Sequence, residues 1–217
     1  MPVGLPEFVE NPENRCPVVL LLDTSGSMCG EPIQELNRGI AAFKEDVIKD
    51  AQASLSVELA IVTFGGSVQL IQDFTSIDNF NPPQLEANSQ TPMGEAIEYG
   101  LDLLEARKLI YKENGILYYR PWVFLITDGA PTDYWQSAAQ RVKEAEAQRR
   151  QCFFAVGVKG ADLNTLRQIA PREPMMLNGL DFRSMFVWLS TSMKRVSGGK
   201  VGEAIALPAV GWGQVAT

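Results

Sequence analysis

The sequence contains no histidine among its 217 residues. Without that residue, neither a Ser-His-Asp triad nor a Cys-His pair can be assembled, and zinc cannot be held by histidine ligands. The absence of this one residue type therefore excludes most common designs of hydrolytic enzyme.

Cysteine is scarce. There are three, Cys16, Cys29 and Cys152, and no two of them form a C-x-x-C pair. An odd and sparse set without that spacing is typical of reduced thiols in a cytosolic protein, so we predict a cytoplasmic location. Cys29 lies beside a polar loop, where we expect it to be partly exposed.

Basic residues are outnumbered, with 19 Lys and Arg against 26 Asp and Glu and a net charge of −7. A negative surface disfavours nonspecific binding to nucleic acid and to anionic membranes. No apolar run approaches the roughly 20 residues of a membrane-spanning helix. Residues 1–16 lack the basic-then-apolar layout of a secretory signal. We therefore expect neither nucleic acid nor a membrane as a partner.

Hydrophobic residues make up 46% of the chain, which is enough for a substantial core. Continuous apolar runs predict buried strands, and apolar residues at helical spacing predict helices. The predicted strands are 17–23, 55–64, 67–71, 122–127, 152–158 and 174–177. The predicted helices are 31–50, 92–112, 131–150, 162–170 and 181–196. Residues 73–90 are predicted as a long loop with a short helical turn near 82–85.

The alternation of strands and helices predicts an α/β fold, a Rossmann-like three-layer sandwich. Its central sheet is mostly parallel, with helices on both faces. Gly65-Gly66 joins two strands as a hairpin, which gives one antiparallel edge strand. We divide the chain into an amino-terminal arm (1–16), one domain (17–196) and a carboxyl-terminal tail (197–217) that is extended or disordered.

The first buried strand ends in a short polar motif. Asp23, Ser25 and Ser27 alternate just past the apolar run. Ligands of open α/β sheets bind at the carboxyl ends of the strands, and hard oxygen ligands suit a small divalent cation. Read alone, the same residues are equally typical of turns and helix caps.

Two later segments bring further oxygens to the same predicted edge. Thr91 precedes Pro92 at the predicted cap of a helix, and Asp128 follows the strand 122–127. Two carboxylates and three hydroxyls can surround one small cation and leave a position free. The charges of the two carboxylates balance those of a divalent cation.

These pieces resemble the metal-ion-dependent adhesion site (MIDAS) of von Willebrand factor A domains. The matching residues are Asp23-Thr24-Ser25-Gly26-Ser27, Thr91 and Thr127-Asp128-Gly129, and the resemblance covers about residues 15 to 196. The local sequences around Asp23 and Asp128 also resemble those of the bacterial tellurium-resistance-associated (TerY-like) branch of the family. That branch is linked to stress resistance.

The resemblance implies a role for each site residue. Ser25, Ser27 and Thr91 bind Mg²⁺ directly, with Mn²⁺ or Ca²⁺ as alternatives, and Asp23 and Asp128 bind it directly or through water. The open position takes an Asp or Glu of a partner protein. The resemblance also implies that binding can be coupled to movement of the last helix, here 181–196. The implied function is therefore a protein-protein interaction module, not an enzyme.

Two other functions remain open. In a metal-dependent phosphoryl-transfer or hydrolytic enzyme, Asp23 would attack a phosphate. Position 25 is a serine, however, and the three loops carry no Lys or Arg to stabilise a leaving group. The other alternative is a structural domain with a vestigial site.

Several residues near the motif have two interpretations each. Asp133 and Glu31 either cap the helices that start there or support the metal ligands from behind. Thr24 is expected to point away from the ligands, and Trp135 is either an interface anchor or part of the core. Trp212 belongs either to a docking peptide or to a disordered tail.

Overall fold

The protein is described from a computed structural model over residues 6–215. The strands are β1 (Cys16–Asp23), β2 (Val57–Gly65), β3 (Ser67–Ser76), β4 (Trp122–Thr127), β5 (Cys152–Gly157), β6 (Met175–Leu177) and β7 (Gly213–Val215). The helices are α1 (Pro6–Glu10), α2 (Glu31–Val47), α3 (Ala51–Ser56), α4 (Met93–Glu113), α5 (Gln136–Ala147), α6 (Leu163–Ile169) and α7 (Phe182–Ser197).

The strands form one seven-stranded sheet in the order β3-β2-β1-β4-β5-β6-β7. Neighbours from β2 to β6 pair in parallel, and β3 is antiparallel at one edge, so the predicted fold class is confirmed. The tail adds β7, which pairs antiparallel with β6 at the other edge. The sequence pattern does not predict this strand.

The sheet is buried on both faces. All eight residues of β1 are buried, which explains why the strand reads as an unbroken apolar run. Leu20 and Leu22 face one core, and Val19 and Leu21 face the other. Helices α2, α3 and α7 pack together on the first face, while α4, α5 and α6 pack on the second. In folds of this kind, ligands bind at the edge of the sheet where the parallel strands end and most helices begin.

Four predicted elements differ from the structure. Residues 51–56 form α3, because Asp50 accepts a hydrogen bond from the Ala53 N–H and caps a helix where a strand was predicted from residue 55. Strand β3 continues to Ser76, beyond the predicted residue 71. Helix α5 begins at Gln136 instead of 131, and the predicted turn near 82–85 has no helix.

The described part of the arm packs on the domain. Phe8 is buried, and the guanidinium groups of Arg15 and Arg107 each lie 5.2 Å from the centre of its ring. Both arginines donate to the buried carboxylate of Glu58, from Nε of Arg15 at 2.8 Å and from Nε of Arg107 at 2.9 Å. Through the Glu58 carboxylate and the Phe8 ring, which both arginines contact, the arm is joined to β2 and α4.

The tail packs on the last helix. Trp212 is 2% exposed, and its ring meets that of Trp188 edge-on at 5.8 Å. The Trp188 indole N–H donates to the Pro208 carbonyl at 2.9 Å, and the Asn178 N–H donates to the Trp212 carbonyl at 3.0 Å. Trp212 is therefore part of the domain's own core. Over residues 6–215, no helix is both long enough and apolar enough to cross a membrane.

Candidate metal centre

The candidate site forms where β1 and β4 end side by side. The two strands pair in parallel, with Leu22 opposite Ile126, so Asp23 and Asp128 emerge at the same edge. Asp23 is 0% exposed and Asp128 is 7% exposed. The sheet therefore fixes two carboxylates close together at the edge where ligands bind.

Neighbouring donors hold Asp23 in place. Its Oδ1 accepts the Ser25 backbone N–H at 2.8 Å, and its Oδ2 accepts the hydroxyl of Thr127. Burial raises the pKa of Asp23, the hydrogen bonds from Ser25 and Thr127 lower it in part, and the charge of Asp128 raises it further. On balance the pKa of Asp23 is raised.

Hydroxyl groups link the two loops. The Oγ atoms of Ser25 and Ser27 lie 3.1 Å apart, and the Ser27 hydroxyl donates to Oδ1 of Asp128 at 2.6 Å. Ser25 is buried, whereas Ser27 is exposed. The oxygens therefore form a continuous row from the buried end of the site to solvent.

Thr91 reaches the same space. A Cβ placed on Gly129 would lie 3.8 Å from the Thr91 Oγ1 and 4.0 Å from the Asp23 Oδ2. The threonine hydroxyl and the aspartate thus face Gly129 from two directions, and glycine leaves that space open. The structure brings together all the predicted site residues: Asp23, Ser25, Ser27, Thr91 and Asp128.

Asp133 and not Thr91 caps α4. The carboxylate of Asp133 accepts the backbone N–H of Gly94 at 3.0 Å and of Glu95 at 2.8 Å. Pro92 occupies the N-cap position and makes no side-chain capping bond. The predicted cap role of Thr91 is therefore wrong, as is the expectation that Asp133 caps its own helix. The Thr91 hydroxyl is left available for a ligand.

The loop before Thr91 is fixed by backbone hydrogen bonds. Ser89 accepts from the Gly26 N–H at 3.0 Å, Asn88 donates to the Thr24 carbonyl at 2.6 Å, and Gln90 accepts from Gly66 at 2.8 Å. Ser89 has a positive φ of 53°, uncommon outside glycine and often found near functional sites. These contacts hold the second loop against the first.

The oxygens suit a small hard cation. Ligands about 2.0–2.1 Å from Mg²⁺ in octahedral geometry lie about 3 Å from their neighbours. The Ser25–Ser27 and Ser27–Asp128 separations, 3.1 Å and 2.6 Å, are close to that spacing. In the described part of the chain, no three His, Cys, Asp or Glu side chains form a group that could hold a metal. A site here thus depends on hydroxyl ligands.

Two side chains near the site pack against the rest of the fold. Thr24 packs against the hairpin, since a Cβ on Gly65 would lie 2.5 Å from its Oγ1. Trp135 is half-buried against the core beneath α4 and α5. The adjacent Tyr134 is 73% exposed.

In a comparison with protein families, the model of the von Willebrand factor type A domain matches residues 18–186. Comparison with curated protein sequences gives no match. The family match includes the carboxyl ends of β1 and β4 and the start of α4.

Several solved structures share the fold. Proximal thread matrix protein 1 from the mussel byssus, with a zinc-occupied MIDAS motif, is 18% identical at a TM-score of 0.56, over 83% of this chain and 48% of that one. The pilus adhesin SpaC of Lactobacillus rhamnosus GG is 14% identical at 0.68, over 84% and 30%.

Manganese-loaded TRAP protein of Plasmodium vivax is 18% identical at a TM-score of 0.54, over 82% of this chain and 73% of that one. The chain spans half or less of the first solved structures that it matches, with 48%, 47% and 30% of their lengths covered. At these identities the likeness concerns the fold alone.

Proposed function

The chain belongs to the von Willebrand factor type A domain family, and from that premise we propose that it is a metal-dependent protein-protein interaction module. Domains of this family are generally interaction modules. In our proposal, Mg²⁺ is held by Asp23, Ser25, Ser27, Thr91 and Asp128. A carboxylate from an Asp or Glu of a partner protein completes the coordination of the cation.

The convergence of the oxygens carries this proposal. The row from Ser25 through Ser27 to Asp128 is continuous, with separations of 3.1 Å and 2.6 Å. Two carboxylates balance a divalent cation, so that a third carboxylate from a partner is not repelled by a net negative site. Ser27 is exposed, which gives a partner access. Two solved structures that share the fold hold zinc or manganese, which agrees with a divalent cation here.

The chain's own residues prepare the site. When bound, the cation supplies the positive charge that attracts and orients the partner's carboxylate. The Ser25 N–H and the Thr127 hydroxyl fix both oxygens of Asp23. Asp133 fixes the start of α4, and thereby the turn that carries Thr91. Little conformational entropy is lost when a cation binds, because hydrogen bonds already orient the ligand side chains.

Catalysis by Asp23 fits the geometry less well. Its carboxylate is 0% exposed, and both of its oxygens accept hydrogen bonds. A nucleophilic carboxylate needs an oxygen that can reach the substrate. Asp23 is better placed to support a cation from beneath than to attack a phosphate.

The narrower sequence resemblance suggests where the partner belongs. It implies a bacterial tellurium- or stress-resistance system in the cytoplasm, and we extend the proposal to a partner from such a system. Affinity capture from tellurite-treated cells, run with Mg²⁺ and with EDTA, tests this extension. A partner that is retained equally in EDTA would contradict it.

Isothermal titration of the metal-free protein with MgCl₂ and MnCl₂ tests the metal site itself. The exchange Asp128→Ala removes a proposed ligand, while Asp78→Ala removes an exposed aspartate from a distant loop. We expect saturable binding in the wild type and in Asp78→Ala, and no saturable binding in Asp128→Ala. Equal binding by all three proteins would refute the site.

A further inference from the structure

A second cavity lies at the edge of the sheet opposite the metal centre. It has a volume of about 630 Å³, within the range of small-molecule sites. Trp122 and Cys152, the first residues of β4 and β5, line its inner side. The tail closes another side with residues 202–205 and Leu207.

The cavity has an aromatic floor. The rings of Trp122 and Phe154 lie 4.9 Å apart, and both residues are almost fully buried. Val196 of α7 and Leu207 of the tail add apolar surface. A floor of this kind accommodates the apolar body of a ligand, because burial of apolar surface is favourable.

The rim of the cavity is basic. Arg120, Arg149 and Arg172 all line it. Arg120 and Arg172 share a single carboxylate, Oε1 of Glu146, at 3.3 Å and 2.6 Å. Arg172 also lies over the Phe154 ring at 5.3 Å. Glu203 is the acidic residue in the lining, so three guanidinium groups face two carboxylates, and positive charge is in excess on a chain of net charge −7.

Arg149 stands out among these residues. It follows α5 with a φ of 56°, at the position after a helix end that favours glycine. The backbone bond from the Arg150 N–H to the Ala145 carbonyl, 2.8 Å, closes that helix end. The backbone of Arg149 thus adopts a conformation unfavourable for a residue other than glycine. Its guanidinium group lies at the cavity rim and has no carboxylate partner among residues 6–215.

From the floor, the rim and Arg149 together, we propose that this cavity binds a small amphipathic anion, a carboxylate attached to an apolar body. The apolar body lies on Trp122 and Phe154. The carboxylate accepts hydrogen bonds from Arg149 and from the arginines beside it, in the planar geometry that guanidinium groups favour. This site needs no metal, since it lies at the other end of the strands from Asp23 and Asp128.

Titration with decanoate in the presence of EDTA tests the proposal, with decan-1-ol as the uncharged ligand of the same chain length. Arg149→Gly removes the charge and places the favoured residue at the helix end. We expect its dissociation constant for decanoate to rise about tenfold, because a charged hydrogen bond is lost. Its Tm should be unchanged or higher than that of the wild type, which separates a binding defect from a folding defect.

The matched control is Arg183→Gln, which removes one exposed positive charge from α7, away from the cavity. It should bind decanoate as the wild type does. Amide chemical shifts should change around Trp122, Cys152 and Gly202 on binding. Equal affinity of Arg149→Gly and the wild type would overturn the proposal, as would equal affinity for decan-1-ol and decanoate, or shifts that map elsewhere.

Discussion

Gly129 and Asp133 shape the metal centre although neither belongs to its proposed ligand set. Gly129 leaves open the space that Thr91 and Asp23 face. Asp133 caps α4 through the backbone N–H groups of Gly94 and Glu95, so the turn carrying Thr91 is fixed without using the threonine hydroxyl. The site therefore depends on the absence of a side chain at Gly129. It also depends on the carboxylate of Asp133, which comes from a different loop than Thr91.

The exchange Gly129→Ala should separate metal binding from folding. The added methyl group would lie 3.8 Å from the Thr91 Oγ1 and 4.0 Å from the Asp23 Oδ2, at ordinary contact distance from both. It would therefore leave the metal-free fold intact and occupy space needed by the cation. We expect an unchanged Tm in EDTA and a smaller rise of Tm on adding MgCl₂, measured by differential scanning calorimetry. An Mg²⁺-induced rise equal to that of the wild type would contradict this.

The capping role of Asp133 shows why part of the site could not be predicted from sequence. Ser25, Ser27 and Asp128 follow predicted strands directly, so their positions follow from the pattern of the chain. Asp133 is separated from Gly94 by 39 positions along the sequence. A cap provided by another loop leaves no local signal at the helix it serves, and Thr91 was therefore assigned the role that its own position favours.

Among the elements, α2 and α7 form the main helix pair on one face of the sheet. Asp46 of α2 lies at the centre of their polar contacts. Its Oδ2 accepts from Nζ of Lys194 at 2.9 Å and from the Ser190 hydroxyl at 2.7 Å. Burial opposes ionisation of Asp46, but the hydrogen bonds from Lys194 and Ser190 outweigh it, and the pKa of Asp46 is lowered.

This contact should make the stability of the helix pair depend on pH. A lowered pKa in the folded state means that the stabilisation is complete above the pKa of an unfolded aspartate, about 3.9, and is lost as the pH falls through the folded pKa. We expect Asp46→Asn to reduce the free energy of unfolding by about 1 kcal/mol at pH 7, and by less at pH 3. Urea unfolding at the two pH values measures this.

Asp78→Asn serves as the control for that experiment, because its side chain is exposed and accepts a hydrogen bond from the neighbouring Asn79 side chain. It should change stability little at either pH. A loss for Asp46→Asn that is the same at pH 3 as at pH 7 would show that ionisation of Asp46 is not the cause.

The predicted elements differ in how far local sequence determines them. β1 and β4 were predicted because their residues are apolar throughout, as burial on both faces requires. α3 was missed because its sequence runs into the apolar stretch of β2, although Asp50 was a recognisable cap. β7 has only three residues, Gly213–Val215, and it forms only because β6 offers an edge.

For the whole molecule, the tail completes the core. Trp212 is buried against Trp188, and the segment before it closes one side of the second cavity. The tail thus contributes to both the packing of α7 and the wall of a proposed binding site. The domain boundary predicted at 197 stays a prediction, but Trp212, well beyond it, is buried in the domain.

Trp212→Ala should therefore destabilise the whole domain, by about 3 kcal/mol, because it removes a large buried side chain. Trp212→Phe should cost much less. Phenylalanine keeps most of the apolar contact and removes an indole N–H that finds no acceptor among residues 6–215. Guanidinium unfolding followed by far-ultraviolet circular dichroism measures both variants. Equal losses for the two exchanges would mean that the ring contact with Trp188 contributes little.

The antiparallel hairpin leaves β3 at the outer edge of the sheet, with β2 as its one hydrogen-bonded neighbour among the described strands. The strand is ten residues long, and its apolar Leu70 and Ile71 are 37% and 38% exposed. Asp73 is its sole charged side chain. A long and nearly uncharged edge is a template for further strands. In concentrated solution we expect copies of the protein to begin to aggregate at this edge, where Asp73 and the irregular pairing of β3 with β2 oppose strand addition.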